Sequence, residues 1–168
     1  MMLSERTSEA LDVLVGALFD MNRTADRQVS WMQNMWSMPQ AAEIYHHKIA
    51  HIFPLLADEI SGFKDKYNLT TVYPETHRDA REYTDLFDMM STLYKEIEGV
   101  YEIARQTYYI AKEEQDFNAN AMLQDFMEKL TEIISQIITL RDKAEKMPTD
   151  YDTYDFRIKD WGIVGVEL

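Results

Sequence analysis

Apolar residues recur along this chain at alternating spacings of three and four, in four long segments. The first carries Leu11, Leu14, Leu18, Met21, Ala25, Met32 and Met35, with Gln28 as a polar break in the stripe. Ser4 stands where a helix N-cap belongs and Pro39 marks the stop. The second starts near Pro39 and carries Tyr45, Ile49, Ile52, Leu56, Ile60 and Phe63, with Pro54 inside it. A proline there removes one helical hydrogen bond and predicts a kink. "KYNLTTVYPETH" (66–77) reads as a long loop. The third segment, about 78–114, carries Leu86, Met90, Leu93, Ile97, Val100, Ala104 and Ala111. After a turn at "QDFNAN" (115–120), with Asp116 or Asn118 as cap, the fourth carries Leu123, Phe126, Leu130, Ile133, Ile137, Leu140 and Ala144.

This period belongs to helices packed nearly parallel along their length, and no β-type alternation competes. The pattern predicts an all-α, antiparallel four-helix bundle over residues 1–147, with one long crossover loop. Residues 148–168 form a short tail of the same domain. That tail, "PTDYDTYDFRIKDWGIVGVEL", holds too much aromatic and aliphatic surface to hang in water. It should dock, either on its own bundle or into a neighbouring subunit.

Composition narrows the chemistry. Among 168 residues there is no cysteine, which excludes disulfides, thiolate metal sites and cysteine nucleophiles. Glycine (5) and proline (4) are scarce while methionine reaches 11, in keeping with long helices and an adaptable core. The net charge of −13 opposes nucleic acid and anionic membranes. No stretch reads as a leader or a membrane span, so the expected location is the cytoplasm.

Three of the four histidines lie in "AEIYHHKIAHIFPLLADEI" (42–60), flanked by carboxylates. At about 100° per residue, Glu43, His47 and His51 line up near 160–240° from Tyr45, opposite the core stripe, while His46 lies to one side. Glu43, His47 and His51 are therefore the candidate metal ligands, as an i, i+4, i+8 set at the surface or a subunit contact. A solvated or interface face without metal is the other reading of the same row. No catalytic residue and no cofactor-binding residue emerges. Glu96, Glu98, Glu102, Glu128 and Glu132 flank the inward stripes without lying on them.

Several strings resemble those of the ferritin family, including the Dps-like mini-ferritins. "MLSERTSEAL" (2–11) is similar to the start of bacterial ferritins, and "NLTTVYPETHRDAREYTDLF" (68–87) to their crossover loop and third-helix start. "LYKEIE" (93–98) and "QDFNANAMLQDFMEKL" (115–130) resemble their third-to-fourth helix junction. The resemblance implies an iron-oxidising or iron-storing homo-oligomer, with two irons held by Glu and His from all four helices. Carried over by position, those ligands fall near Leu18, near Ile52 and Leu55, near Ile97, and near Leu130 and Ile133. Apolar side chains stand where the resemblance implies carboxylates. The mini-ferritin pattern fares no better: Trp36 and His47 keep its spacing, but Met35, Gly62 and Lys66 stand at its other ligand positions.

The expectation is a ferritin-like structural or assembly-forming protein without a working di-iron centre. It should be a homo-oligomer with no cofactor. The alternative is an iron-oxidising or iron-storing shell with a displaced site at Glu43, His47 and His51. A third possibility, an apolar ligand in the methionine-rich core, has no positive feature behind it.

Overall fold

The computed structural model describes residues 2–168. Helix α1 spans Glu5–Asn34, and the Ser4 hydroxyl caps it by accepting from the Thr7 N–H at 3.0 Å. The helix stops before Met35, which is exposed, contrary to its place in the sequence stripe. The second rod is built in three parts: α2 (Pro39–Tyr45), a π-helical turn (His46–Ala50) and α3 (Ile52–Asp65). Helix α4 spans Leu86–Glu113 and α5 spans Phe117–Lys146. Among the described residues there is no β-strand.

Cross-links give the antiparallel directions. Arg6 near the start of α1 pairs with Glu113 at the end of α4, while Gln28 near the end of α1 reaches the Met89 carbonyl near the start of α4. Likewise Asp12 of α1 meets Lys64 of α3, and Asn22 meets Ala50. The inward stripes form one core, with Leu11, Leu14, Leu18, Leu56, Ile60, Leu93, Ile97, Leu123, Leu130 and Ile137 all fully buried. Lys64 is the cation inside this core, 1% exposed, with its ammonium 2.6 Å from Asp12.

Helix α4 starts at Leu86, later than the sequence pattern predicts. Asp85 sets this boundary: its carboxylate accepts from the Asp88 N–H at 2.7 Å, a capping bond that fixes the first turn. Residues 78–85 thereby join the crossover loop, which runs along α1. Gly16 makes room for it, since a Cβ there would lie 2.7 Å from the Pro74 ring. Further on, Arg23 donates to the Thr76 hydroxyl and Arg27 to the Arg81 carbonyl.

The tail docks on its own bundle. Helix α6 (Tyr151–Arg157) buries Tyr154 completely, and the Tyr154 hydroxyl donates to the Leu140 carbonyl at 2.9 Å. Asp155 accepts from the Ala41 N–H at 2.7 Å. That contact supplies α2 with the N-terminal acceptor it lacks locally, because Met38 at its cap position has no side-chain oxygen. Farther along, Gln136 of α5 accepts from the N–H groups of Val164 and Gly165 and donates to the Gly165 carbonyl.

Candidate functional site

The π-helical turn arises beside Pro54. Proline has no N–H, so the Ala50 carbonyl four residues earlier loses its helical donor. The Asn22 side-chain amide of α1 replaces that donor at 2.9 Å. Within the turn, His51 N–H bonds to the His46 carbonyl, an i to i−5 link that inserts one residue into the helical phase.

That inserted residue rearranges the histidine row. A regular helix would align Glu43, His47 and His51 and leave His46 aside. The π-turn instead lays the His46 ring against His51, with centroids 4.1 Å apart, and places His47 at 5.1 Å from His46 and 5.5 Å from His51. His47, His51 and Glu43 are exposed, and His46 is half-buried. The rings meet edge to face, at angles of 66–81°. Among the described residues no group of three or more His, Asp or Glu is disposed to hold a metal ion. Glu43, His46 and His47 also line a shallow open groove shared with Asp26 of α1.

Five of the six positions to which the ferritin resemblance carries the iron ligands are packing positions, and all six carry hydrocarbon side chains. Leu18, Ile97, Leu130 and Ile133 are fully buried, Ile52 is 4% exposed, and Leu55 faces solvent at 50%. Hydrocarbon side chains offer no lone pair to iron, so this set does not fit a di-iron centre. Glu96 and Glu98 do not replace it. Glu96 turns to the flank, where Thr24 donates to it at 2.5 Å and Arg81 pairs with it; Glu98 is exposed.

Polar chemistry inside the bundle gathers instead near the start of α4. Gln28 is fully buried; its carbonyl accepts from the Tyr45 hydroxyl at 2.5 Å, and its amide donates to the Tyr83 hydroxyl and the Met89 carbonyl. Burial raises the phenol pKa of Tyr45 well above its ordinary value, and that of Tyr83 in the same direction. Both phenols are therefore neutral at physiological pH, Tyr45 donating to Gln28 and Tyr83 accepting from it, and they lock helix and loop rather than act as acid–base groups. Alongside, Arg81 bridges Asp79, Glu96 and the Thr24 hydroxyl, and its bonds to Asp79 raise its pKa still further. The Trp31 indole N–H is buried without a partner among the described residues, with the Arg27 guanidinium 5.3 Å from the ring centroid.

The sequence pattern carried one sign of this network, the polar Gln28 within an apolar stripe. Thr24, Asp79 and Arg81 carried none, because the loop's path over α1 decides their contacts.

No protein-family profile matches the sequence, and no curated protein matches it. Solved structures do. An open-pore ferritin from the hyperthermophilic archaeon Archaeoglobus fulgidus superposes with a TM-score of 0.86 at 14% identity, covering 95% of this chain and 97% of that one. A closed form of the same ferritin, engineered by site-directed mutagenesis, gives 0.88 at 14% identity, covering 98% and 99%. A humanized archaeal ferritin gives the same values. Four antiparallel rods, a crossover loop laid along the first and a short docked tail thus make the ferritin fold, and this chain has that fold over nearly its whole length.

Proposed function

We propose that this chain is an assembly-forming ferritin-like protein whose bundle centre is a packing core rather than an iron-oxidising site. The observation that carries the reading is the burial of Leu18, Ile52, Ile97, Leu130 and Ile133 at the positions that would have to supply ligands. Unpaired carboxylates there would cost several kcal/mol without metal, whereas leucine and isoleucine stabilise the bundle by themselves. Assembly is supported by the large apolar side chains left in water, among them Val13 (55% exposed), Leu55 (50%) and Phe156 (60%). The open-pore and closed descriptions of the ferritins with the same fold point the same way. A charge of −13 disfavours nucleic-acid partners, and no helix among the described residues is long and apolar enough to cross a membrane.

The test is aerobic titration with ferrous iron, following oxygen uptake and bound iron by elemental analysis. The expected result is oxygen uptake no faster than in buffer. Two tightly bound irons per chain, with uptake lost in Glu96→Ala or Glu98→Ala, would overturn the reading. Light scattering should give a mass that is a multiple of 19.8 kDa; a monomer at micromolar concentration removes the assembly half of the proposal.

A second reading has one observation behind it, the close approach of three imidazoles on the π-turn. Glu43, His47 and His51, now joined by His46, would form a displaced iron site after the rings rotate. In the same titration, iron uptake abolished by His47→Ala and His51→Ala would favour it.

A further inference from the structure

A groove of about 560 Å³ lies between α1, residues 77–81 of the crossover loop and the middle of α4. It falls within the size range of small-molecule sites and is separate from both the bundle centre and the histidine row. Ala17, Met21, Val100 and Ile103 give it an apolar floor. Gly99 also lines it and borders open space, since a Cβ built there meets nothing within 4 Å.

The charged groups at its rim are not equivalent. Asp79 and Glu96 are both engaged by Arg81, and Asp20 accepts from the His77 backbone N–H at 3.4 Å. Arg23 donates to a neutral partner, the Thr76 hydroxyl. Arg78 is exposed and makes no ion pair or side-chain hydrogen bond among the described residues. The lining thus carries three arginines and three carboxylates, but because Arg81 holds Asp79 and Glu96, the guanidiniums of Arg78 and Arg23 stand beside the apolar cleft without a carboxylate partner. A guanidinium suits a planar carboxylate head, because it offers paired N–H donors in matching geometry.

We propose that this groove binds a small amphipathic carboxylate, with its hydrocarbon part over Met21, Gly99 and Val100 and its head group at Arg78 and Arg23. The inference stands independently of the reading of the bundle centre. It is tested by isothermal titration of the full-length protein, in its native assembly, with decanoate below micelle formation, alongside decyltrimethylammonium as the cation of matched chain length. Decanoate should bind saturably at one site per chain, and the cation should not. Arg78→Ala should weaken decanoate about ten-fold, the loss of one charge-assisted contact, and Arg78→Lys should recover part of that loss. Gly99→Trp, filling the open space at an exposed helix position, should abolish binding while circular dichroism stays unchanged. Absence of saturable decanoate binding, equal binding of the cation, or undiminished binding to folded Arg78→Ala would each overturn the proposal. Arg78 has no structural partner to lose, so its variant remains informative even if the tryptophan variant fails to fold.

Discussion

The second rod and α5 begin from the same kind of apolar stripe and end as different objects. Helix α5 runs 30 residues without interruption, and every third or fourth residue from Ala119 to Ala144 points inward and is buried. The second rod needs 7 residues of α-helix, a 5-residue π-turn and 14 more of α-helix to cover the same bundle. One proline separates them. It removes a donor, and the structure answers with a wider turn and an amide borrowed from α1. A stripe therefore sets which face is buried, while a single backbone defect sets which outward side chains meet.

The largest break in this comparison should come from α5. Leu130→Glu places a carboxylate at a fully buried position with no partner, and should cost several kcal/mol. The melting temperature should then fall by more than about 10 °C. An unchanged melting temperature would contradict the inward phase of α5.

Gly165→Ala comes next. Gly165 has φ +74°, and an added Cβ would lie 2.8 Å from the Lys48 carbonyl oxygen within the π-turn. A left-handed conformation combined with a backbone clash should cost about 2 kcal/mol. Limited proteolysis should then release the residues after Trp161 before the bundle is cut.

Asn22→Ala should cost about 1.5 kcal/mol by leaving the Ala50 carbonyl without its donor. The sharper measurement is the double-mutant cycle with Pro54→Ala. An alanine at 54 restores the N–H that the Ala50 carbonyl needs, so the penalty of Asn22→Ala should shrink in that background. Additive effects would mean that the proline is not the cause of the defect.

The smallest effect belongs to the crossover loop that leaves the second rod. Burial opposes charge on Asp79, but the hydrogen bonds and charge of Arg81 outweigh it and hold the carboxyl below its ordinary 3.8. With the folded value under the unfolded one, this contact stabilises fully above the unfolded value and is lost as pH falls through the folded one. Hydrogen exchange of residues 76–83 should therefore quicken below 3.8 while the helices stay protected.

The inward faces were legible because burial follows a period of 3.6 and needs no knowledge of neighbours. Leu18, Ile52, Ile97 and Leu130 lie on those stripes and are buried in the core. Ser4 and Pro39 also mark helix starts as the pattern implies, and of the two caps open for the fourth helix the structure takes Asp116 rather than Asn118. The histidine row was harder. Its partners depend on one residue of extra phase, and Pro54 announces a defect without announcing its form. The sequence pattern extends the third helix back to 78 because residues 78–85 keep polar–apolar variety that fits either state, and the Asp85 cap decides between them. The apolar tail implies docking, on its own bundle or on a neighbouring subunit, without choosing between the two. Its own bundle offers the partners, through Leu140, Gln136 and Ala41. Arg81, which organises the loop, had no signature in one dimension.

The Asp155 to Ala41 contact bears on the order in which the chain acquires its structure. The two residues are 114 positions apart, so the acceptor for the first turn of α2 is synthesised long after that turn. A ribosome adding roughly 5–20 residues per second leaves that turn waiting for roughly 6–23 seconds. Until then its leading N–H groups have only water to bond with. The final helix thus closes a circuit of long sequence separation, the sort of contact that forms late in folding and slows it.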